Sequence, residues 1–254
     1  IERITWQQAM WNYGNDKPDV RYDVQLANYK FPAHSYPAGM DDDKVGMEII
    51  DKELMEQFPV FAQAETVIGI AVSGCSGYTR KQTDELTDWV KRPQVGMSGL
   101  VFIKFNEDGS FKSSVDKFYD EEKLRTLATA ANAKAGDLIL IVAGAEEKTR
   151  KAASDLRQYM AEKLGLRKPD EFRLLWVLDF PLFEYAAPEE GTQQHENGRW
   201  VARHHPFTSP KPLQIAEMID NDPNIQNAAD YLKHPYANIK ANAYDMVLNG
   251  NEIG

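Results

Sequence analysis

Two carboxylates near the end of the sequence have the spacing to share one face of a β-hairpin. Asn249-Gly250 lies between two apolar runs, and an Asn-Gly pair in that setting predicts a two-residue hairpin turn. Such a turn places Val247 opposite Glu252, and the twofold alternation of side chains along a strand puts Asp245 on the same face. Asp245 and Glu252 are then diagonal cross-strand neighbours, roughly 7–8 Å apart.

Two carboxylates on one face repel each other unless water or a cation lies between them, and the sequence around this pair offers no basic neighbour. Mg²⁺ carrying nucleotide phosphates suits the pair, because it takes one or two protein carboxylates and completes its coordination shell with phosphate and water oxygens. A solvated acidic face is the alternative that the pattern alone leaves open.

Two adjacent histidines and one aspartate are further candidates. His204-His205 ends an apolar strand before Pro206, and neighbouring strand residues point to opposite faces, so at most one histidine faces a given site. No Cys/His spacing supplies further metal ligands. One histidine could donate to a substrate carboxylate, and a packed, hydrogen-bonded histidine is the alternative. Asp179 precedes a Phe-Pro pair and is either a site group or an ordinary strand-edge residue.

Basic residues occur at two places that could contact phosphate. Residues 78–81 (YTRK) combine a helix start with two cations. Lys148, Arg150, Lys151 and Arg157 give a later helix a basic side. Contact with RNA and a solvated helix face both remain open for these residues.

Composition limits the class of protein. The 254 residues hold 39 acidic and 29 basic side chains, a net charge of −10, which argues against a protein that coats nucleic acid and against a DNA partner. A single cysteine, Cys75, cannot form an internal disulfide, so a reducing, cytoplasmic setting is expected. No apolar run reaches the roughly 18 residues of a membrane span, so no membrane partner is expected.

The elements that must position these residues fall into three stretches. Residues 1–57 hold a short helix that ends at Gly14 and then a turn-rich connector over 15–44. Residues 58–168 alternate strand and helix patterns and predict an α/β unit whose helices pack on one sheet. Residues 169–254 return to strands.

Several local signals support this division. Thr79 and Gln82 form a capping box that starts a helix, and residues 137–143 (DLILIVA) predict a buried strand. Residues 173–185 and 199–205 predict a long hairpin. The sequence opens without an initiator Met and closes within a strand pattern, which indicates a piece of a longer protein.

Six motifs, several of them long and all in the family's order, resemble the bacterial aspartyl-tRNA synthetase family. Three of them are strand and histidine signatures (LLWVLDFPLFE, HHPFTSPK and ANAYDMVLNGNEIG), one is similar to the segment after motif 2, and two are similar to the inserted GAD domain. That domain is shared with the B subunit of the tRNA-dependent amidotransferase. The motifs span residues 174–184, 204–211, 241–254, 4–22, 78–92 and 113–118.

The resemblance implies an α+β fold. An α/β GAD insertion domain (58–168), its sheet covered by helices, is expected within part of a class II synthetase antiparallel-sheet catalytic core (1–57 and 169–254). It also implies a cytoplasmic, homodimeric aspartate–tRNA ligase that activates L-aspartate with ATP and Mg²⁺ to aspartyl-adenylate and transfers it to tRNA.

The resemblance also implies residue roles. His204 would contact aspartate, Glu252 would contact ATP, and Asp245 with Glu252 would hold Mg²⁺, which agrees with the hairpin argument. No residue of the chain is assigned a catalytic role, because in-line attack on the α-phosphate needs positioning and charge neutralisation more than covalent catalysis by the protein.

Family elements that complete the site are expected outside the sequence. Motifs 1 and 2 and the anticodon-binding domain would precede Ile1, and motif 3 with the substrate-pairing arginine would follow Gly254. The chain alone is therefore expected to be inactive. The alternative is a non-catalytic tRNA-interaction module like the amidotransferase GAD domain, which has no reason to carry the strands and histidines of residues 174–211.

Overall fold

The computed structural model forms two compact units. The terminal unit comprises Ile1–Gln7 and Leu174–Gly254, and the middle unit comprises Gln8–Arg173. None of the helices it describes combines the length and the apolar composition that crossing a bilayer requires. The residues that the structure describes are 1–31, 52–186, 199–203, 207–211 and 239–254.

The middle unit is built on a five-stranded sheet with the order β2-β3-β6-β4-β5, in which every neighbouring pair is antiparallel. The strands are β2 (Leu26–Lys30), β3 (Thr66–Val72), β4 (Val101–Phe105), β5 (Phe111–Ser113) and β6 (Leu138–Gly144). The helices of the described residues are α1 (Trp6–Tyr13), whose first two residues belong to the terminal unit, and α2 (Lys52–Glu56), α3 (Pro59–Gln63), α4 (Arg80–Val90), α5 (Glu121–Ala130) and α6 (Glu146–Lys163).

Both faces of this sheet are covered, so its central strands are apolar on both sides. Ile68 and Leu140 pack on one face with buried residues of α4 and α6. Val67 and Ile139 pack on the other face with buried residues of α2, α3 and α5. The prediction of a buried strand over 137–143 is confirmed, and its unbroken apolar run follows from helices on both faces.

Helix ends follow the predicted signals. The side chain of Thr79 accepts a hydrogen bond from the backbone N–H of Gln82, whose side chain accepts one from the backbone N–H of Thr79, so the predicted capping box is confirmed. Gly14 ends α1 with a φ of 74°. A positive φ at the end of a helix favours glycine because it has no Cβ.

The connector expected over 15–44 contains a strand that the sequence analysis missed. Residues 26–30 form β2, which pairs with β3 through Leu26 opposite Ile70. Leu26 and Tyr29 are buried, and the Tyr29 hydroxyl donates to the carbonyl of Leu127 at 3.0 Å. Tertiary pairing outweighs the turn-rich composition of the flanking residues. Residues 32–44 lie outside the described part of the chain.

Arg157 of α6 attaches the start of the middle unit to its last helix. The side chain is fully buried, its Nη1 donates to the Tyr22 hydroxyl at 2.8 Å, and its Nη2 donates to the carbonyl of Asp19 at 2.8 Å. The guanidinium carbon also lies 4.1 Å from the centre of the Tyr22 ring, which adds a cation–π contact.

Burial of two arginines corrects the interpretation of α6 as a basic surface. Arg157 is 0% and Arg150 is 7% exposed, and the Arg150 Nη1 donates to the Asn28 side chain at 3.0 Å. Lys148 and Lys151 alone of the four residues are exposed, and Lys151 pairs with Asp155. The spacing of these residues indicated one helix face, but the packing of the connector on that face was not visible in the sequence.

The terminal unit holds a four-stranded sheet with the order β1-β7-β10-β11 and a separate two-stranded hairpin, β8-β9. β1 runs parallel to β7, and the other pairs are antiparallel. The strands are β1 (Glu2–Thr5), β7 (Leu174–Leu178), β8 (Phe183–Ala186), β9 (Arg199–Ala202), β10 (Tyr244–Leu248) and β11 (Asn251–Glu252).

The strand predicted over 173–185 is two strands. β7 ends at Leu178, and Asp179 has a φ of 61°, which turns the chain before Pro181. Only the second part forms the predicted hairpin, with Phe183 opposite Ala202. The single-strand prediction was wrong because a left-handed residue and a proline interrupt an otherwise continuous apolar run.

Replacing Arg157 with lysine should lower the free energy of unfolding of this chain by about 3 kcal/mol, because a single ammonium lacks the planar fork with which the guanidinium donates to four oxygens of residues 19–24. The comparison is Arg80→Lys on α4, whose side chain is 95% exposed. Urea denaturation followed by tryptophan fluorescence measures both. Equal stabilities for the two variants would show that the buried guanidinium does not anchor the connector.

Asp19 should make the stability of the chain depend on acid pH. Burial opposes ionisation of its carboxyl, but hydrogen bonds from the Arg21 side chain and backbone, with the charges of Arg21 and Arg167, outweigh burial and lower the pKa. A carboxyl whose pKa is lower in the folded state stabilises the fold above its unfolded pKa of about 3.9, and that contribution is lost as pH falls through the folded value.

Asp19→Asn should therefore reduce the free energy of unfolding at neutral pH by about 1–2 kcal/mol and flatten its decline below pH 4. Urea titrations between pH 2.5 and 7 provide the measurement. Asp88→Asn, at an exposed position of α4, should change the neutral-pH value by less than about 0.5 kcal/mol. A parallel decline of wild type and Asp19→Asn below pH 4 would contradict the assignment.

Candidate functional site

The hairpin that ends the described chain has the predicted register. Val247 lies opposite Glu252 and Leu248 lies opposite Asn251. Asn249 and Gly250 both have positive φ, 52° and 84°, as a two-residue turn with left-handed residues at both positions requires. The prediction from the Asn-Gly pair is confirmed residue for residue.

Pairing of β10 with β7 places both carboxylates on the same face of the sheet as three buried aliphatic side chains. Asp245 lies opposite Val177, and Val247 lies opposite Leu175, and residues directly opposite each other share a face of the sheet. Val177, Leu175 and Val247 are 0% exposed, whereas Asp245 is half-buried and Glu252 is exposed. A cation held by these carboxylates would have low-dielectric aliphatic groups on one side, which strengthens its attraction to them.

The donor set fits a cation that brings ligands of its own. Within the ranges that the structure describes, no group of three or more His, Cys, Asp or Glu side chains could hold a metal. A closed protein cage is therefore not formed by these residues. Mg²⁺ fits a pair of carboxylates, because phosphate and water oxygens normally complete its octahedral shell.

His204, the predicted aspartate contact, lies outside the described residues, so its role stays a prediction. The residue before it, Arg203, is held within the terminal unit. Its backbone N–H donates to the carbonyl of Leu182 at 3.0 Å. Its guanidinium pairs with Glu184 at 3.4 Å and lies 4.6 Å from the centre of the Trp6 ring.

Asp179 lies among charged residues that the sequence analysis did not single out. Its carboxylate forms an ion pair with the ammonium of Lys211. Burial lowers the pKa of Lys240, the charge of Asp179 raises it in part, and the charge of Lys211 lowers it further. An aspartate next to a Phe-Pro pair was the only local signal, and neither lysine has a spacing that marks it.

The Asp179 backbone is also costly. A left-handed conformation costs a residue with a Cβ roughly 1–2 kcal/mol, although aspartate and asparagine tolerate it better than most residues. Among the described residues, Asp179 shares this feature with Asn132 and Asn249 alone of the non-glycine residues. Strained residues persist where surrounding contacts fix them, and they concentrate at functional sites.

Comparison with known proteins first identifies the class of the middle unit. Residues 59–153 match the model of the GAD domain family. These residues cover most of the sheet and of the helices that pack on it. Residues 59–153 are therefore similar to GAD domains, and the predicted α+β fold with a helix-covered sheet is confirmed.

The whole chain is similar to bacterial aspartate–tRNA ligases. It is 45% identical over 252 residues to the enzyme named "Aspartate--tRNA ligase" from Flavobacterium psychrophilum, and 43% identical over 253 residues to those of Bacteroides fragilis and Porphyromonas gingivalis. Each alignment covers 99% of this chain and 36% of the relative, so the chain spans about a third of their length. The resemblance inferred from the sequence motifs is confirmed.

Gly250→Ala should loosen the hairpin that carries Glu252. A Cβ at a φ of 84° costs about 1–2 kcal/mol, which corresponds to roughly 5- to 30-fold faster amide exchange at the hairpin. The Ile253 N–H, which donates to the Met246 carbonyl at 2.8 Å, reports the change.

Gly77→Ala is the matched control, because no atom lies within 4 Å of a Cβ added there and its φ is not in the left-handed range. It should leave exchange at Ile253 unchanged. Unchanged exchange in Gly250→Ala as well would show that the turn does not set the position of β11.

Proposed function

We propose that the chain supplies part of the aspartate-activating site of an aspartate–tRNA ligase. The observation that carries the proposal is the register of β10 and β11, which puts Asp245 and Glu252 on one face in a chain similar to such ligases over nearly its whole length. The proposed reaction joins L-aspartate and ATP to aspartyl-adenylate and pyrophosphate, and the aspartyl group then passes to tRNA.

In this proposal the chain binds and orients the nucleotide. Glu252 contacts ATP, and Asp245 with Glu252 holds Mg²⁺, which supplies charge neutralisation at the phosphates. The aspartate carboxylate attacks the α-phosphate in line, the bond to pyrophosphate breaks, and no covalent bond to the protein forms. The buried side chains of Val177 and Val247 keep water from one side of the carboxylate pair, which reduces the screening of its field on that side.

Further parts of the proposal concern substrate, partners and domains. We propose that His204 contacts L-aspartate, that the full-length enzyme is a cytoplasmic homodimer that binds tRNA, and that this chain alone is inactive. The domain division that accompanies this function is 1–57 and 169–254 for the catalytic domain and 58–168 for the GAD insertion.

A non-catalytic tRNA-interaction module is the weaker hypothesis. It accounts for the GAD domain at 59–153, but the similarity to aspartate–tRNA ligases extends over 99% of the chain. A module that only binds tRNA has no use for the carboxylate pair on β10 and β11.

Amino-acid-dependent ATP–pyrophosphate exchange tests the proposal directly. The full-length protein should exchange with aspartate among the twenty amino acids, and the 254-residue chain should not exchange. Glu252→Gln in the full-length protein should lower kcat/KM for ATP by about 100-fold, the size of a lost transition-state electrostatic contact.

Glu85→Gln, at an exposed position of α4, is the control variant and should keep wild-type exchange. A folded full-length protein that shows no exchange with aspartate would overturn the synthetase proposal. Binding of tRNA by that same inactive protein would favour the interaction module.

A further inference from the structure

Three segments of the terminal unit are hydrogen-bonded to one another where β7 ends, and we call this place the crossing. They are residues 179–182, 209–211 and 239–242, and none of them belongs to the strands of the two sheets. Four backbone hydrogen bonds of 2.7–2.9 Å join them, from Ala241 to Phe180, Leu182 to Ile239, Lys211 to Lys240 and Asn242 to Ser209.

The carboxylate of Asp179 pairs with a lysine of the second segment and acts by its charge on a lysine of the third. It pairs with the ammonium of Lys211, and the two side chains are 31% and 42% exposed. Its charge also acts on Lys240, whose amine is half-buried. One carboxylate thus offsets the mutual repulsion of two ammonium groups that the crossing brings together.

This crossing lies directly at the start of the strand that carries Asp245. Tyr244, the first residue of β10, lies opposite Leu178, the last residue of β7. Asp245 follows it and lies opposite Val177. A shift of residues 239–242 relative to the end of β7 would therefore move Asp245 before it moved Glu252.

We propose that Asp179 is a positioning residue for aspartate activation, which fixes the start of β10 through its ion pair with Lys211, whose backbone N–H donates to the carbonyl of Lys240 at 2.9 Å. The inference rests on the proposed function, because its effect on the reaction passes through Asp245 and the Mg²⁺ assigned to it. The left-handed backbone of Asp179 supports it, since the φ of 61° aims the carboxylate at the crossing at a conformational cost.

Two substitutions at Asp179 separate its charge from its backbone. Asp179→Asn keeps the size and the tolerance for positive φ but removes the charge, whereas Asp179→Gly removes the side chain and relieves the backbone. In the full-length protein, both should raise the Mg²⁺ concentration for half-maximal pyrophosphate exchange about tenfold, the lower end of the effect of losing an outer-shell partner of a metal site.

Lys211→Met tests whether the carboxylate acts through this pair. Alone it should raise the Mg²⁺ requirement in the same direction, and combined with Asp179→Asn it should add little, because coupled residues are not additive. The matched control is Asp155→Asn, which removes the carboxylate of an Asp–Lys pair on α6 with an N–O distance of 2.5 Å. It should leave the Mg²⁺ requirement at the wild-type value.

A purely structural role predicts a different result. The melting temperature and kcat would fall while the Mg²⁺ requirement stayed constant, and Asp179→Gly would be less harmful than Asp179→Asn. That pattern, or full additivity of the double variant, overturns the positioning role and leaves the proposed function intact if wild type exchanges with aspartate. Absence of that exchange in wild type overturns both.

Discussion

Backbone hydrogen bonding between β7 and β10 is the constraint on which the candidate site depends. β7 pairs with β1 on one side and β10 on the other, so a single central strand sets the positions of the whole sheet. Because side chains alternate with a period of two, a slip of one residue would send Asp245 to the opposite face from Val177. Burial of Val177 and Val247 on the same face specifies the register, since a slip of β10 would turn Val247 away from that face.

The hairpin could be predicted from the sequence because its information is local. Asn249 and Gly250 select the turn, the turn selects the register, and alternation assigns the faces. The break at Asp179 and strand β2 were not predictable in the same way. Each depends on a partner distant in sequence: Asp179 pairs with Lys211, and Leu26 lies opposite Ile70. The residues next to Asp179 and Leu26 show no periodic pattern that would indicate these partners.

In the middle unit, the burial of a charged side chain was likewise not predictable from the local sequence. The sequence placed several cations on one helix, and a surface role followed from the usual exposure of arginine. Arg157 instead lies inside, where carbonyl and hydroxyl oxygens of residues 19–24 accept its N–H groups. Those acceptors are more than 130 residues away in sequence. The compact unit Gln8–Arg173 consequently extends beyond the GAD match at 59–153, and this arginine is one physical reason for the difference.

Asp245 and Glu252 place two like charges on one face of the β10–β11 hairpin, and like charges on neighbouring strands carry a local energetic cost. Asp179 carries a second local cost, its positive φ. Departures from local consistency concentrate where function demands them, and Asp179 lies at the same end of the β7–β10 pair as Asp245. Under the proposed function, one demand would account for both departures: a cation and its nucleotide held at the β10–β11 face.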